Sequence, residues 1–89
     1  MPVVFIPALL RDLSDGQDSL NLPGRTVGEV IDQLEARCPG VKDRLLDGGQ
    51  LRPGIAVVVD GSISRKRLRH PLEEGSEVHF LPAISGGSI

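Results

Sequence analysis

Few residues in this chain have the chemistry to act, and the most distinctive of them stand together near its end. The run Leu81-Pro82-Ala83-Ile84-Ser85-Gly86-Gly87-Ser88-Ile89 follows a strand signal, Val78-His79-Phe80-Leu81. Two adjacent glycines contribute nothing to a core, and glycine loses the most conformational freedom when it is fixed. Such an arm, almost without side chains, suits insertion into a narrow site on another protein. It suits a frayed terminus equally well, and the residues of the run leave both readings open.

The other candidates are weaker. Cys38 is the only cysteine, so the chain has no internal disulfide and no thiolate cluster of its own. It closes a helical pattern just before Pro39, with no histidine near it in sequence, and reads as a half-buried structural thiol rather than a nucleophile. His70 and His79 are too few and too scattered to predict a metal site. Phosphate loops, nucleophile elbows and His/Glu metal motifs are missing from the sequence. Arg65-Lys66-Arg67-Leu68-Arg69-His70 holds four of the ten positive charges. This segment reads as a solvated face, with a docking patch for an acidic partner or an anionic ligand as the alternative. Nothing in these patterns predicts a catalyst.

The elements that must position the terminal run follow from periodicity. Val3-Val4-Phe5-Ile6, between two prolines, is a strand by composition. Ala8 to Leu13 reads as a wide, partly packed loop, Asp15-Gly16 as a turn, and Ser19 to Leu22 as a half-buried strand. Thr26-Val27-Gly28-Glu29 fits a capping box. Behind it Val27, Val30, Ile31, Leu34 and Cys38 share one helical face, and Pro39-Gly40 ends the helix. Val41, Leu45 and Leu46 predict a further short helical turn, and Asp47 to Gln50 a loop. Ile55 to Val59 is the most apolar strand signal, Asp60-Gly61 a tight turn, Ile63 a minor strand, and Ser76 to Leu81 the last strand.

One amphipathic helix against one mixed sheet of four to five strands predicts a two-layer α+β domain. With Phe5 and Phe80 both taken as core residues, alternation places Val3 and Val78 inside. Val4, Ile6 and Leu81 then fall on the outer face as an apolar docking patch, unless a loop covers them. Eighty-nine residues allow one core, and with only two aromatic residues that core must be aliphatic. A net charge of -2 speaks against general nucleic-acid binding. The sequence has no apolar run of membrane-spanning length and no leader pattern, so the expected location is cytoplasmic, away from membranes.

The strand order, the capped helix and the ending Phe80-Leu81-Pro82-Ala83-Ile84-Ser85-Gly86-Gly87 resemble the MoaD/ThiS family of ubiquitin-like sulfur carriers. The resemblance also rests on Ile6-Pro7 with Leu10-Arg11, Thr26 to Ile31 with Leu34-Glu35, and Pro39-Gly40 with Arg44-Leu45. Within the family, the Ile-Pro start and Leu-Pro-Ala ending are most similar to mycobacterial-type carriers of cysteine biosynthesis. The resemblance implies a β-grasp domain over 1–82, with the first and last strands parallel, and a flexible tail over 83–89. It implies that Gly87 is adenylated and becomes a thiocarboxylate. Gly86 would give clearance in the partner's channel, and Ala83, Ile84 and Ser85 would span the distance from the sheet. Val4, Ile6 and Leu81 would belong to the docking face.

One departure from the family pattern matters. Ser88 follows Gly87, so the Gly87 carbonyl is a peptide amide until Ser88-Ile89 is removed, and processing between Gly87 and Ser88 is expected. The partners implied are an E1-like adenylating enzyme, a PLP-dependent cysteine synthase and a JAMM-type zinc metallopeptidase. ATP, PLP and zinc would be used by those partners, with no cofactor held by this chain. The alternatives are a protein modifier joined to lysines, a carrier for molybdopterin or thiamine synthesis, and an interaction module whose tail is never activated.

Overall fold

The computed structural model describes residues 1–82. The predicted tail, 83–89, lies outside the described residues. Two short strands open the chain, β1 (Val3–Phe5) and β2 (Ser19–Asn21), paired antiparallel with Val4 opposite Leu20. Between them the predicted loop contains a 3-10 turn, Ala8–Leu10, which buries Leu10. The main helix α1 (Val27–Arg37) follows, then a short helix α2 (Val41–Leu45) and a small hairpin of β3 (Leu46–Asp47) and β4 (Gln50–Leu51). The chain ends its described part in β5 (Ile55–Val59), β6 (Ser62–Ile63) and β7 (Glu77–Pro82).

These strands form a five-stranded sheet in the order β2-β1-β7-β5-β6, with β1 parallel to β7 and the other pairs antiparallel. The first and last strands thus lie side by side in the centre, as the family resemblance implied. A parallel pair needs a crossover long enough to cross the sheet, and α1 lies within it. Val27, Val30, Ile31 and Leu34 of α1 are all at most 1% exposed. They pack with Val4, Val57, Val59, Val78 and Phe80 of the sheet in one aliphatic core. Each such side chain contributes about 1.5–3 kcal/mol when withdrawn from water.

The start of α1 is set locally. The Thr26 hydroxyl accepts from the Glu29 amide at 3.2 Å, and the Glu29 carboxylate accepts from the Arg25 amide at 2.9 Å. The reciprocal bond of the predicted capping box therefore reaches one residue further back than Thr26. A second cap escapes sequence patterns. Glu35, on α1, accepts from the amides of Gly40 at 3.2 Å and Lys42 at 2.8 Å, and so satisfies the start of α2. Gly40 holds φ 103 there, a left-handed conformation open to glycine at little cost.

The face assignment of the first strand is corrected by the structure. Val4 and Ile6 are 0% and 2% exposed and belong to the core, whereas Val3 and Phe5 lie half-buried on the outer face. The physical reason is register. In the parallel pair Phe5 stands beside His79 and Val4 beside Val78, and side-by-side residues share a face of a sheet. Phe5 and Phe80 therefore point to opposite sides, so the premise that both are core residues fails. The Asp47 to Gln50 loop is also corrected. Gly48 and Gly49, at φ 65 and 82, make the two-residue turn of the β3-β4 hairpin, a turn that needs positive φ at both central positions.

Candidate functional site

The site is the end of the sheet from which residues 83–89 depart. Because β1 stops at Phe5 while β7 continues to Pro82, the end of β7 is paired with β5 alone, with Ala56 opposite Leu81 and Ile55 opposite Pro82. Backbone pairing with β5 thus holds the end of β7 on the body of the domain.

Leu81 is 48% exposed, on the outer face that strand alternation predicts for it. Its neighbours on that face are Phe5 and His79, stacked with ring centroids 4.2 Å apart and planes 4° from parallel, and Val58, which pairs with His79. This is a half-buried apolar surface centred on β7. Phe5 and His79 replace Val4 and Ile6 in the patch expected from sequence. The signal that could have found them is the parallel register of β1 with β7, which local patterns do not contain.

Beside Leu81 runs a groove of about 660 Å³, whose apolar lining includes Ile6, Leu10, Leu45, Ile55, Phe80 and Leu81. Ile6 is thus a core residue that borders the groove. Arg11 and Arg44 also line it. Arg11 Nε donates to the Ile6 carbonyl and lies 3.3 Å from an Asp18 carboxylate oxygen, and Arg44 lies 3.9 Å from Asp12.

The other chemically capable residues have structural surroundings. Cys38 is 4% exposed, more deeply covered than the half-buried thiol expected, because its side chain completes the inner face of α1. Burial pushes the thiol above its ordinary value of 9.0, and the charge of Arg37 opposes this only in part. His70 Nδ1 lies 2.7 Å from Ser64 Oγ, which also accepts from the amides of Lys66 and Arg67. With both lone pairs of the hydroxyl engaged, its proton points at the imidazole. Among the described residues, no group of three or more His, Cys, Asp or Glu side chains could hold a metal ion, and no helix is long and apolar enough to cross a membrane. Gly86, Gly87, Ser85, Ile84, Ala83 and Ser88 lie outside the described residues.

This fold, a helix-backed mixed sheet with parallel neighbouring first and last strands, is the β-grasp. The profile of the ThiS family matches residues 4–87, and the chain belongs to that family. It is 36% identical over 89 residues to the sulfur carrier protein CysO of Mycobacterium tuberculosis, covering 94% of this chain and 96% of that one. A crystal structure of the BexX/CysO complex of Amycolatopsis orientalis contains a chain that superposes with a TM-score of 0.90 at 35% identity, covering 98% of this chain and 100% of that one. Small archaeal modifier protein 3 of Haloferax volcanii is 31% identical over 64 residues, 70% of each chain.

Proposed function

We propose that this protein is a sulfur carrier, a co-substrate of other enzymes rather than a catalyst, whose Gly87 bears the sulfur as a thiocarboxylate. The observation that carries the reading is the extent of the family match. It runs through Gly86-Gly87 and stops before Ser88, while similarity to the CysO carrier spans almost the full length of both chains.

The chemistry follows from the weakness of a carboxylate as an acyl electrophile. Once Ser88-Ile89 has been hydrolysed away, the Gly87 carboxylate attacks the α-phosphate of ATP on an E1-like partner and pyrophosphate leaves. Sulfide then attacks the acyl carbon, AMP departs, and the thiocarboxylate remains. The carrier holds the reactive atom and its partners supply catalysis. Leu81, with Phe5 and His79, forms the docking face, and Ala83 to Gly86 reach the active site. A zinc peptidase of the JAMM type performs the trimming, and a PLP-dependent synthase receives the sulfur for cysteine. These events are placed in the cytoplasm.

ATP–pyrophosphate exchange with the host's adenylating enzyme tests this reading. A chain ending at Gly87 should support exchange, and the chain ending at Ile89 should not. Equal exchange by both would remove the processing step. A second reading, conjugation of Gly87 to lysine amines, is favoured by the similarity to an archaeal modifier protein. It predicts higher-mass species of other host proteins carrying this chain.

A further inference from the structure

The basic segment singled out in the sequence is not absorbed by the carrier function, and its setting in the fold is specific. Arg65, Lys66, Arg67 and Arg69 are exposed, and Arg52 stands beside them, its carbonyl 3.4 Å from the Arg67 guanidinium. Arg11, Lys42 and Arg44 each have a carboxylate partner. None of the five clustered cations has a carboxylate oxygen within 4.0 Å among the described residues. The rest of the chain carries the remaining five cations against twelve carboxylates. A positive cluster thus stands uncompensated on an otherwise acidic protein.

The cluster is also held in place. Ser64, buried, accepts from the amides of Lys66 and Arg67 through its hydroxyl. Arg67 sits at φ 54, a conformation that costs a non-glycine residue energy and persists only where its surroundings enforce it. Its guanidinium donates to the carbonyls of Arg52 and Ile55, which fastens the segment beside the start of β5, where β6 does not pair with it. Leu68 packs against the core, and its carbonyl would lie 3.3 Å from a Cβ placed on Gly28 of α1. Immediately before the segment, Ile63 is 72% exposed on the edge strand β6. It pairs with Val58, so the apolar outer face runs through Ile63 into the basic cluster.

We propose that Ile63, Arg65, Lys66, Arg69 and Arg52 form a second docking surface, built for an acidic protein segment that carries an apolar side chain. Ile63 is the apolar contact, and the surrounding cations supply steering and orientation. Arg67 is a positioning residue that holds the segment. A protein partner fits better than a nucleic acid because the acidic remainder of the surface repels a long polyanion, while a short acidic segment meets the cluster alone.

The test is a titration of the isotope-labelled full chain with a synthetic peptide of glutamates around a central leucine, followed by amide chemical shifts. The shifts should map to residues 62–70 and Arg52, and binding should weaken steeply with added salt. The triple variant Arg65→Glu, Lys66→Glu, Arg69→Glu should keep its amide dispersion and bind roughly tenfold or more weakly. Ile63→Ser should weaken the leucine peptide and leave an all-glutamate peptide unchanged. Shifts that map elsewhere, unchanged affinity in the folded triple variant, or tighter binding of a single-stranded RNA than of the peptide would each overturn the proposal.

Discussion

At the scale of single residues, the side chains that hold the domain together are distinct from those on its outer surface. Val4 and Ile6 are enclosed by the core, so Ile6→Ala should cost about 2–5 kcal/mol in chemical denaturation. Leu81→Asp should leave stability nearly unchanged and weaken binding to the adenylating partner, a difference read by calorimetry on the same samples. The opposite pattern would return Ile6 to the docking face. Which face each residue takes was legible in the sequence only up to a phase. Alternation along Val3-Val4-Phe5-Ile6 is plain, but its phase depends on the pairing of Phe5 with His79, a contact between distant parts of the chain. The place of Cys38 at the end of a helical face predicts a structural thiol, and its burial agrees. Because burial raises its pKa, the folded state disfavours the thiolate. Its contribution to stability is complete below the ordinary value of 9.0 and is lost as pH rises above it. Thiol reagents at neutral pH should therefore modify Cys38 in denaturant and scarcely at all in the native protein. Rapid native labelling would contradict the placement.

At the scale of elements, local signals served well where a cap or turn is contained in a few residues, and poorly where it is not. Thr26 and Glu29 announce the start of α1, and Thr26→Ala should lower stability by about 1 kcal/mol. The Glu35 cap on α2 joins positions five and seven residues apart across Pro39-Gly40, and no short motif describes it. Glu35→Ala should destabilise the domain by a comparable amount, about 1 kcal/mol, since it strips amides of a charged acceptor, whereas Glu35→Gln should recover part of the loss. Denaturation midpoints of the three variants measure this directly. An unaltered midpoint for Glu35→Ala would show that water replaces the carboxylate without cost. The Gly48-Gly49 hairpin was missed for a different reason. Its strands are two residues each, too short to show alternation, and only the turn chemistry marks them.

At the scale of the whole molecule, the described residues form one helix-backed sheet, and the proposed carrier chemistry lies in the residues that follow β7. The order of the five strands of the main sheet along the chain and the helix that covers them are readable in the sequence, whereas the parallel alliance of β1 with β7 comes through family resemblance rather than spacing. That alliance sets β7 in the centre of the sheet, between β1 and β5. Replacing Gly87 with a bulky residue should abolish adenylation while leaving the melting temperature within the small range typical of changes outside a core. A large fall in melting temperature would place Gly87 within the folded body. The central claim is the chemistry of that glycine, and intact-mass measurement of the protein recovered from its native host tests it most directly. The expected result is a chain that ends at Gly87 with one oxygen replaced by sulfur. A population that keeps Ser88-Ile89 while the partner enzymes are active, or a trimmed chain found only with its carboxylate oxygens intact, would contradict it.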